Sequence, residues 1–162
     1  MARAVQELSE EPWLRLGIDT FWNAINERWM EHGPRSEEGF RWLPDATIVP
    51  GPVGERLAAG MRAAIGACAR QGNNVLVDDV FIDPAWLEGW RSELTDLSWL
   101  LVGVFAPLEV LEQRERARGN RIMGEARRQV DSIHAGISYD LTLDTATHSP
   151  EQCARAVIAA LE

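Results

Sequence analysis

Three features of the chain predict an α/β fold with a mostly parallel sheet. Short β-rich runs alternate with longer stretches of helical period. Two of the runs, Val75–Val80 (VLVDDV) and Trp99–Phe105 (WLLVGVF), read as buried strands. At 162 residues the chain fits one domain with a real core, and no internal repeat or low-complexity tract breaks the alternation.

Taken in order, residues 2–9 read as a short helix. Trp13–Ile18 (WLRLGI) is a short strand, with Asp19 at the turn that follows. A helix is expected from near Thr20, because Trp22, Ile25 and Trp29 fall at i, i+3 and i+7 on one face. The stretch 31–52 carries four prolines and reads as irregular, a loop long enough to be functional or mobile. Val53, Leu57, Met61, Ile65 and Cys68 mark a long amphipathic helix ending near Gly72.

Val75–Val80 then ends in two carboxylates. Asp83-Pro84 opens the next helix, with Asp as N-cap and Pro at the first helical position. Trp86, Leu87, Trp90 and Leu94 give that helix its apolar face. After Trp99–Phe105, Pro107 opens another helix. The last strand lies near Asp140–Asp144 (DLTLD), and Ser149-Pro150-Glu151-Gln152 is a capping box for the C-terminal helix. Four strands and about six helices result. Right-handed crossovers between parallel strands would make an open sheet covered on both faces. Such sheets bind ligands at the C-terminal ends of their strands. That directs attention to Asp19, Asp78, Asp79 and the residues after Phe105.

Composition narrows the function. The net charge of −9 argues against a general nucleic-acid or membrane-surface binder, which needs a basic footprint. No apolar run approaches the roughly 20 residues that span a bilayer. The acidic start MARAVQELSEEPW lacks a secretory apolar region, so a cytoplasmic location is expected. Cys68 and Cys153, far apart on predicted helices, read as buried free thiols in a reducing compartment. All 16 basic residues are Arg. Without a single Lys, no Lys-dependent catalysis can come from these residues.

Asp19, between strand and helix, reads either as an N-cap or as a carboxylate placed to accept a proton from a bound hydroxyl. Asp78-Asp79 ends an apolar strand in the manner of carboxylates that hold Mg²⁺ in nucleotide-binding sheets. Two adjacent anions also repel and normally need a cation nearby. Arg114, Arg116, Arg118, Arg121, Arg127 and Arg128 crowd into fifteen residues of an acidic chain. Arg114, Arg118 and Arg121 share a helical face, and Gly119 and Gly124 bracket a possible hinge. The cluster reads as a solvated face balanced by Glu112, Glu115 and Glu125, or as a lid over residues 114–128 that brings guanidinium forks onto phosphates. Trp22, Trp86 and Trp90 fit helix core faces. Trp29 and Trp42 flank the irregular segment, where they could wall a pocket for a flat organic substrate.

Four stretches carry a family resemblance: EPWLRLGIDTFWNAI, VLVDDVF, VGVFAPLEVLEQRERARGNR and YDLTLDTATHSPEQCARAV. Collinear and covering nearly the whole chain, they resemble chloramphenicol phosphotransferase. The resemblance implies a P-loop kinase fold, a three-layer α/β/α arrangement over a single domain 1–162. It implies transfer of the ATP γ-phosphoryl group, with Mg²⁺, to the primary hydroxyl of chloramphenicol. By resemblance Asp19 is the catalytic base, and Arg118 and Arg121 of ARGNR, with Arg114, contact the nucleotide phosphates. Asp78 is the expected metal ligand. Asp19, Trp22, Trp42, Asp79, Val80 and Phe81 are the expected substrate side, together with the segment 31–52.

The sequence departs from that family in one respect. The family's opening strand and its G-x-x-x-x-G-K-[ST] loop have no counterpart in these residues. A displaced start or a truncation is the expected reason, with a non-catalytic small-molecule-binding remnant as the alternative. A kinase of another hydroxylated metabolite fits the same motifs. The expected partner is a small molecule rather than nucleic acid or membrane, and the acceptor and oligomeric state are left open.

Overall fold

The computed structural model describes residues 1–43, 47–81, 84–118, 124–130 and 132–161. Its elements in chain order are α1 (Ala2–Leu8), β1 (Trp13–Gly17), α2 (Ile18–Trp22), β2 (Phe40–Trp42), β3 (Ile48–Pro50), α3 (Pro52–Arg70) and β4 (Asn74–Asp78). They continue with α4 (Pro84–Glu93), β5 (Val102–Phe105), α5 (Leu108–Arg118), α6 (Glu125–Gln129), β6 (Leu141–Asp144) and α7 (Pro150–Ala159). These gather into two compact units, Leu14–Leu97 and Met1–Trp13 with Ser98–Glu162.

In the unit Leu14–Leu97, β1 neighbours β4. The amphipathic period of α3 puts Ala58, Met61 and Ile65 on its buried face. Met61 and Ile65 join Ile18, Trp90 and Leu94 in one apolar core. Cutting an Ile or Met in such a core to Ala costs roughly 2–5 kcal/mol. Beyond α3, Gly72 takes the left-handed conformation at φ +85°, which ends the helix where the sequence suggested. Arg70 then ties α3 to the end of α4. It donates to the Glu93 carboxylate at 3.0 Å and carbonyl at 2.6 Å, and to both Asp96 oxygens at 2.8 Å. Those bonds hold the Asp96 carboxyl down to about 2.

Two expectations fail in this unit. The helix proposed from Thr20 through Trp29 stops at Trp22. A short 3-10 turn, Glu27–Trp29, follows, because the Asn26 side chain takes the Arg28 N–H and starts a new turn instead of extending the old one. The stretch 31–52 is not irregular throughout. β2 and β3 form an antiparallel pair with Trp42 opposite Ile48 and Phe40 opposite Pro50. Strands of three residues are too short to show a period of two, and Pro50, which has no N–H, masks the second one. Around them the chain is tightly bonded to itself: Arg35 N–H reaches the Arg28 carbonyl at 2.9 Å, and Gly51 N–H the Gly39 carbonyl at 2.7 Å. The strand expected at Val75–Val80 runs over Asn74–Asp78, so Asp79 and Val80 lie just past its end. The N-cap expected at Asp83 falls outside the described residues.

In the other unit β5 and β6 pair in parallel, Val102 with Leu141 and Phe105 with Asp144. The strand expected at Trp99–Phe105 starts later, at Val102. The one expected at Asp140–Asp144 starts at Leu141, because the Asp140 carboxylate accepts the Leu101 N–H at 2.8 Å instead. Ser149 and Gln152 form the expected capping box of α7. α1 packs on α7, with Ala4, Val5, Cys153, Ala154 and Val157 buried. Both thiols are free; Cys153 is buried, while Cys68 is only half-buried. No helix among the described residues is long and apolar enough to cross a membrane.

Candidate active site

Asp19 owes its place to the glycine before the helix. Gly17 is the last residue of β1 and the N-cap of α2, with extended backbone at φ 177°. A Cβ there would run into the carbonyl oxygen of Asp78, so only Gly lets the ends of β1 and β4 approach so closely. The chain turns from strand to helix without a loop, and Asp19 falls in the first helical turn. It is therefore not the N-cap, and α2 has no side-chain cap. The Asp19 side chain is exposed and, among the described residues, has no hydrogen-bond or ion-pair partner. An unengaged carboxylate at a strand's C-terminal end is available to a hydroxyl.

The two carboxylates at the end of β4 part company, as side chains at consecutive extended positions do. Asp78 is exposed and faces the Arg15 guanidinium of the adjoining strand at 3.6 Å. Asp79 turns inward. Its Oδ1 accepts the Val80 N–H at 2.9 Å and its Oδ2 accepts the Trp90 indole N–H at 3.2 Å. Burial outweighs these donors and pushes its carboxyl up to about 6, with the charges of Asp78 and Asp19 adding to the rise. The cation expected beside the pair is thus Arg15, and it serves Asp78 alone. Among the described residues no three His, Cys, Asp or Glu side chains gather as a metal cage.

Trp22 closes α2 and is the hub of an aromatic group. Its ring lies 5.9 Å from Phe40 and 5.2 Å from Trp42, centroid to centroid. Trp22, Ile18, Ile48, Val80 and Trp86 line a cavity of about 20 Å³. Of the expected substrate-side residues, Trp22 and Val80 line this cavity, and Trp42 meets the Trp22 ring at a tilt of 59°. Phe81 packs instead against the core around Met61 and Trp90. Val80 is 40% exposed, an apolar side chain open to solvent beside the carboxylates. Trp29 belongs to a different contact, with the Arg35 guanidinium 4.0 Å over its ring.

The arginine-rich segment is described in its own unit. Arg114 and Arg118 line a hollow of about 210 Å³ with Leu111, Glu115, Ala126, Gln129, Val130 and Ile133. Arg114 donates to the Thr145 hydroxyl at 2.8 Å and carbonyl at 2.6 Å, and that hydroxyl in turn donates to the Phe105 carbonyl at 3.0 Å. Arg118 is exposed and, among the described residues, unpaired. Arg121 lies outside the described residues. Glu115, which charge balance alone had brought forward, is 7% exposed. Its oxygens accept the N–H groups of Gly124 at 2.8 Å and Ala126 at 3.1 Å, so it clips the start of α6 to α5. Nothing in the sequence pattern marked that role, nor Gly17's. A Gly between an apolar run and an Asp was the only signal available for the latter.

Comparison with known proteins defines the class first. The fold is that of P-loop kinases. A tunicamycin resistance protein of Deinococcus radiodurans superposes with a TM-score of 0.66 at 20% identity, covering 99% of this chain and 88% of that one. An unliganded sugar kinase of Janibacter sp. HTCC2649 gives 0.64 at 17% identity, covering 99% and 84%.

Within that class the chain belongs to the chloramphenicol phosphotransferase-like protein family, which matches residues 1–162. Two Mycobacterium tuberculosis proteins, MT2714 and Rv2636, both provisionally named O-phosphotransferases, are each 31% identical to it. The similarity extends over 96% of this chain and 72% of each relative. The protein is a phosphotransferase by family, and that family implies a small-molecule substrate.

Proposed function

We propose that the protein is an ATP-dependent kinase of a small hydroxylated molecule, with the hydroxyl of chloramphenicol as first candidate acceptor. The observation that carries this reading is the Asp19 carboxylate, exposed and, among the described residues, unengaged in the first turn after β1, in a chain of phosphotransferase family. Asp19 accepts the proton of the acceptor hydroxyl as it attacks. Trp22 and Trp42, in ring contact, give a flat acceptor an apolar wall, with Val80 beside Trp22 and with Asp79 and Phe81 behind in the core.

Asp78 suits Mg²⁺: its carboxylate is exposed, its contact with Arg15 is long, and Mg²⁺ in kinase sites needs only one or two protein carboxylates. Arg118, unpaired among the described residues, suits the nucleotide phosphates through bidentate guanidinium bonds, and Arg114, which would have to leave Thr145, and Arg121 are proposed to join it. When bound, ATP supplies the phosphoryl group and Mg²⁺ neutralises its charge. The G-x-x-x-x-G-K-[ST] loop that would cradle those phosphates is not among these 162 residues.

The alternative acceptor is another small hydroxylated metabolite. The protein made from its own gene, incubated with γ-³²P-labelled ATP, Mg²⁺ and a panel of chloramphenicol, sugars and simple aromatic alcohols, separates the readings. Label on chloramphenicol above the rate of hydrolysis is expected. Label on another alcohol keeps the kinase and replaces the acceptor. Label on none of them overturns the kinase reading. Tryptophan quenching by a ligand, indifferent to MgATP, would then point to a non-catalytic binding protein.

A further inference from the structure

The hollow of about 210 Å³ in the arginine-rich unit is walled by two helical ridges. Leu111, Glu115 and Arg118 stand at i, i+4 and i+7 on α5, one face of that helix. Ala126 and Val130 stand at i and i+4 along α6 and its C-cap, with Ile133 beyond them. The volume exceeds the roughly 150 Å³ of an apolar cavity that takes up benzene. The side chains of Leu111, Ala126, Val130 and Ile133 offer no hydrogen bond, so the body of an occupant has to be apolar.

The charged groups of the lining decide what that body carries. Arg114 is bonded to Thr145 through both terminal nitrogens. Glu115 is buried, with its oxygens on the N–H groups of Gly124 and Ala126. Arg118, at the end of α5, is exposed and has no partner among the described residues. Two Arg against one Glu leave the described lining with one positive charge in excess. A carboxylate matches it, with a single charge and two coplanar oxygens that a guanidinium fork meets bidentately. A phosphate dianion would call for a second cation, and Arg114 would have to leave Thr145 to supply it.

We infer that this hollow is a binding site for a small amphiphilic acid, an apolar body of about one ring bearing a single carboxylate that Arg118 holds. Arg118 is also the arginine assigned above to the nucleotide phosphates. Acid and nucleotide would then draw on one side chain, which makes the acid an inhibitor. That consequence, unlike the binding itself, rests on the kinase reading.

Isothermal titration of the full chain with 3-phenylpropionate, 3-phenylpropan-1-ol and 3-phenylpropylamine reads the site directly. The acid is expected to bind about five- to tenfold more tightly than the alcohol, the worth of one charged hydrogen-bonded pair at a half-open position, and the amine most weakly. Arg118→Gln should bring the acid to the affinity of the alcohol. Ala126→Phe should fill the hollow and weaken both. If that variant does not fold, Arg118→Gln, changed at an exposed helix end, still decides. No binding, equal binding of acid and alcohol, or a preference that survives Arg118→Gln overturns the inference. So does an MgATP affinity that falls with that of the acid in Ala126→Phe, which would give the hollow to the nucleotide. Binding is read without turnover. The acid preference with no phosphoryl transfer would sink the kinase reading alone, and turnover without the preference would sink this site alone.

Discussion

Asp79→Asn should make the protein more stable at pH 8 and less stable at pH 4. The Asp79 carboxyl rises from its ordinary 3.8 to about 6, first because it is buried. A folded-state value above the unfolded one means the native protein binds the proton more tightly. The associated stability is fully present below pH 3.8 and is lost as pH rises through 6. At about 1.4 kcal/mol per unit, the penalty for holding the anion at pH 8 is no more than about 3 kcal/mol. Asparagine removes that penalty but offers one oxygen where Val80 N–H and Trp90 Nε1–H now have two. Losing one of those bonds costs about 1 kcal/mol. The net expectation is a gain of about 1–2 kcal/mol at pH 8 and a loss of about 1 kcal/mol at pH 4, with the sign changing in between. Urea unfolding of both proteins, followed by tryptophan fluorescence at several pH values, measures the difference with every other titration cancelled. A variant less stable than the parent at pH 8, or a difference that does not change with pH, would refute the argument.

Three further outcomes follow from the site. Asp19→Asn should collapse phosphoryl transfer by about 10²–10⁴-fold with nucleotide affinity nearly unchanged, checked by kcat alongside equilibrium binding; equal loss of both would make Asp19 structural. Arg118→Ala should lower kcat by about 10²–10³-fold through lost charge stabilisation, and unaltered kinetics would assign the arginine cluster to solvent. Gly17→Ala should destabilise by about 1–3 kcal/mol or more, since its methyl meets the Asp78 carbonyl, and a thermal midpoint equal to the parent's would mean the two strand ends are not in such close approach.

What the sequence displays is periodic or locally self-contained. The face of α3 through Met61 and Ile65 repeats over nineteen residues, and the Ser149–Gln152 box closes within four, so both are legible from residue order alone. Asp19 and the Asp78-Asp79 pair were legible by the rule for strand ends. Their separate fates were not, because whether a carboxylate turns to Arg15 or to Trp90 depends on neighbours distant in sequence. The β2–β3 hairpin was hidden by its short strands and by prolines that argue locally against pairing. The partners of Arg114 and Glu115 were hidden for the same reason as the carboxylates' fates. Arg114 bonds a residue 31 positions away, and Glu115 bonds backbone N–H groups, which leave no mark on side-chain patterns.

The Arg114 bonds also set the mechanics of the helix that carries them. Arg114 bonds to Thr145, and through it to the end of β5, so swinging α5 as a rod about its first turn would have to break these bonds. That brace lies seven residues into an eleven-residue helix, with four residues, about 6 Å, beyond it to carry Arg118. Because Glu115 accepts the N–H groups that open α6, the start of that helix is held to the same short stretch of α5, and displacing one without the other would strand those donors.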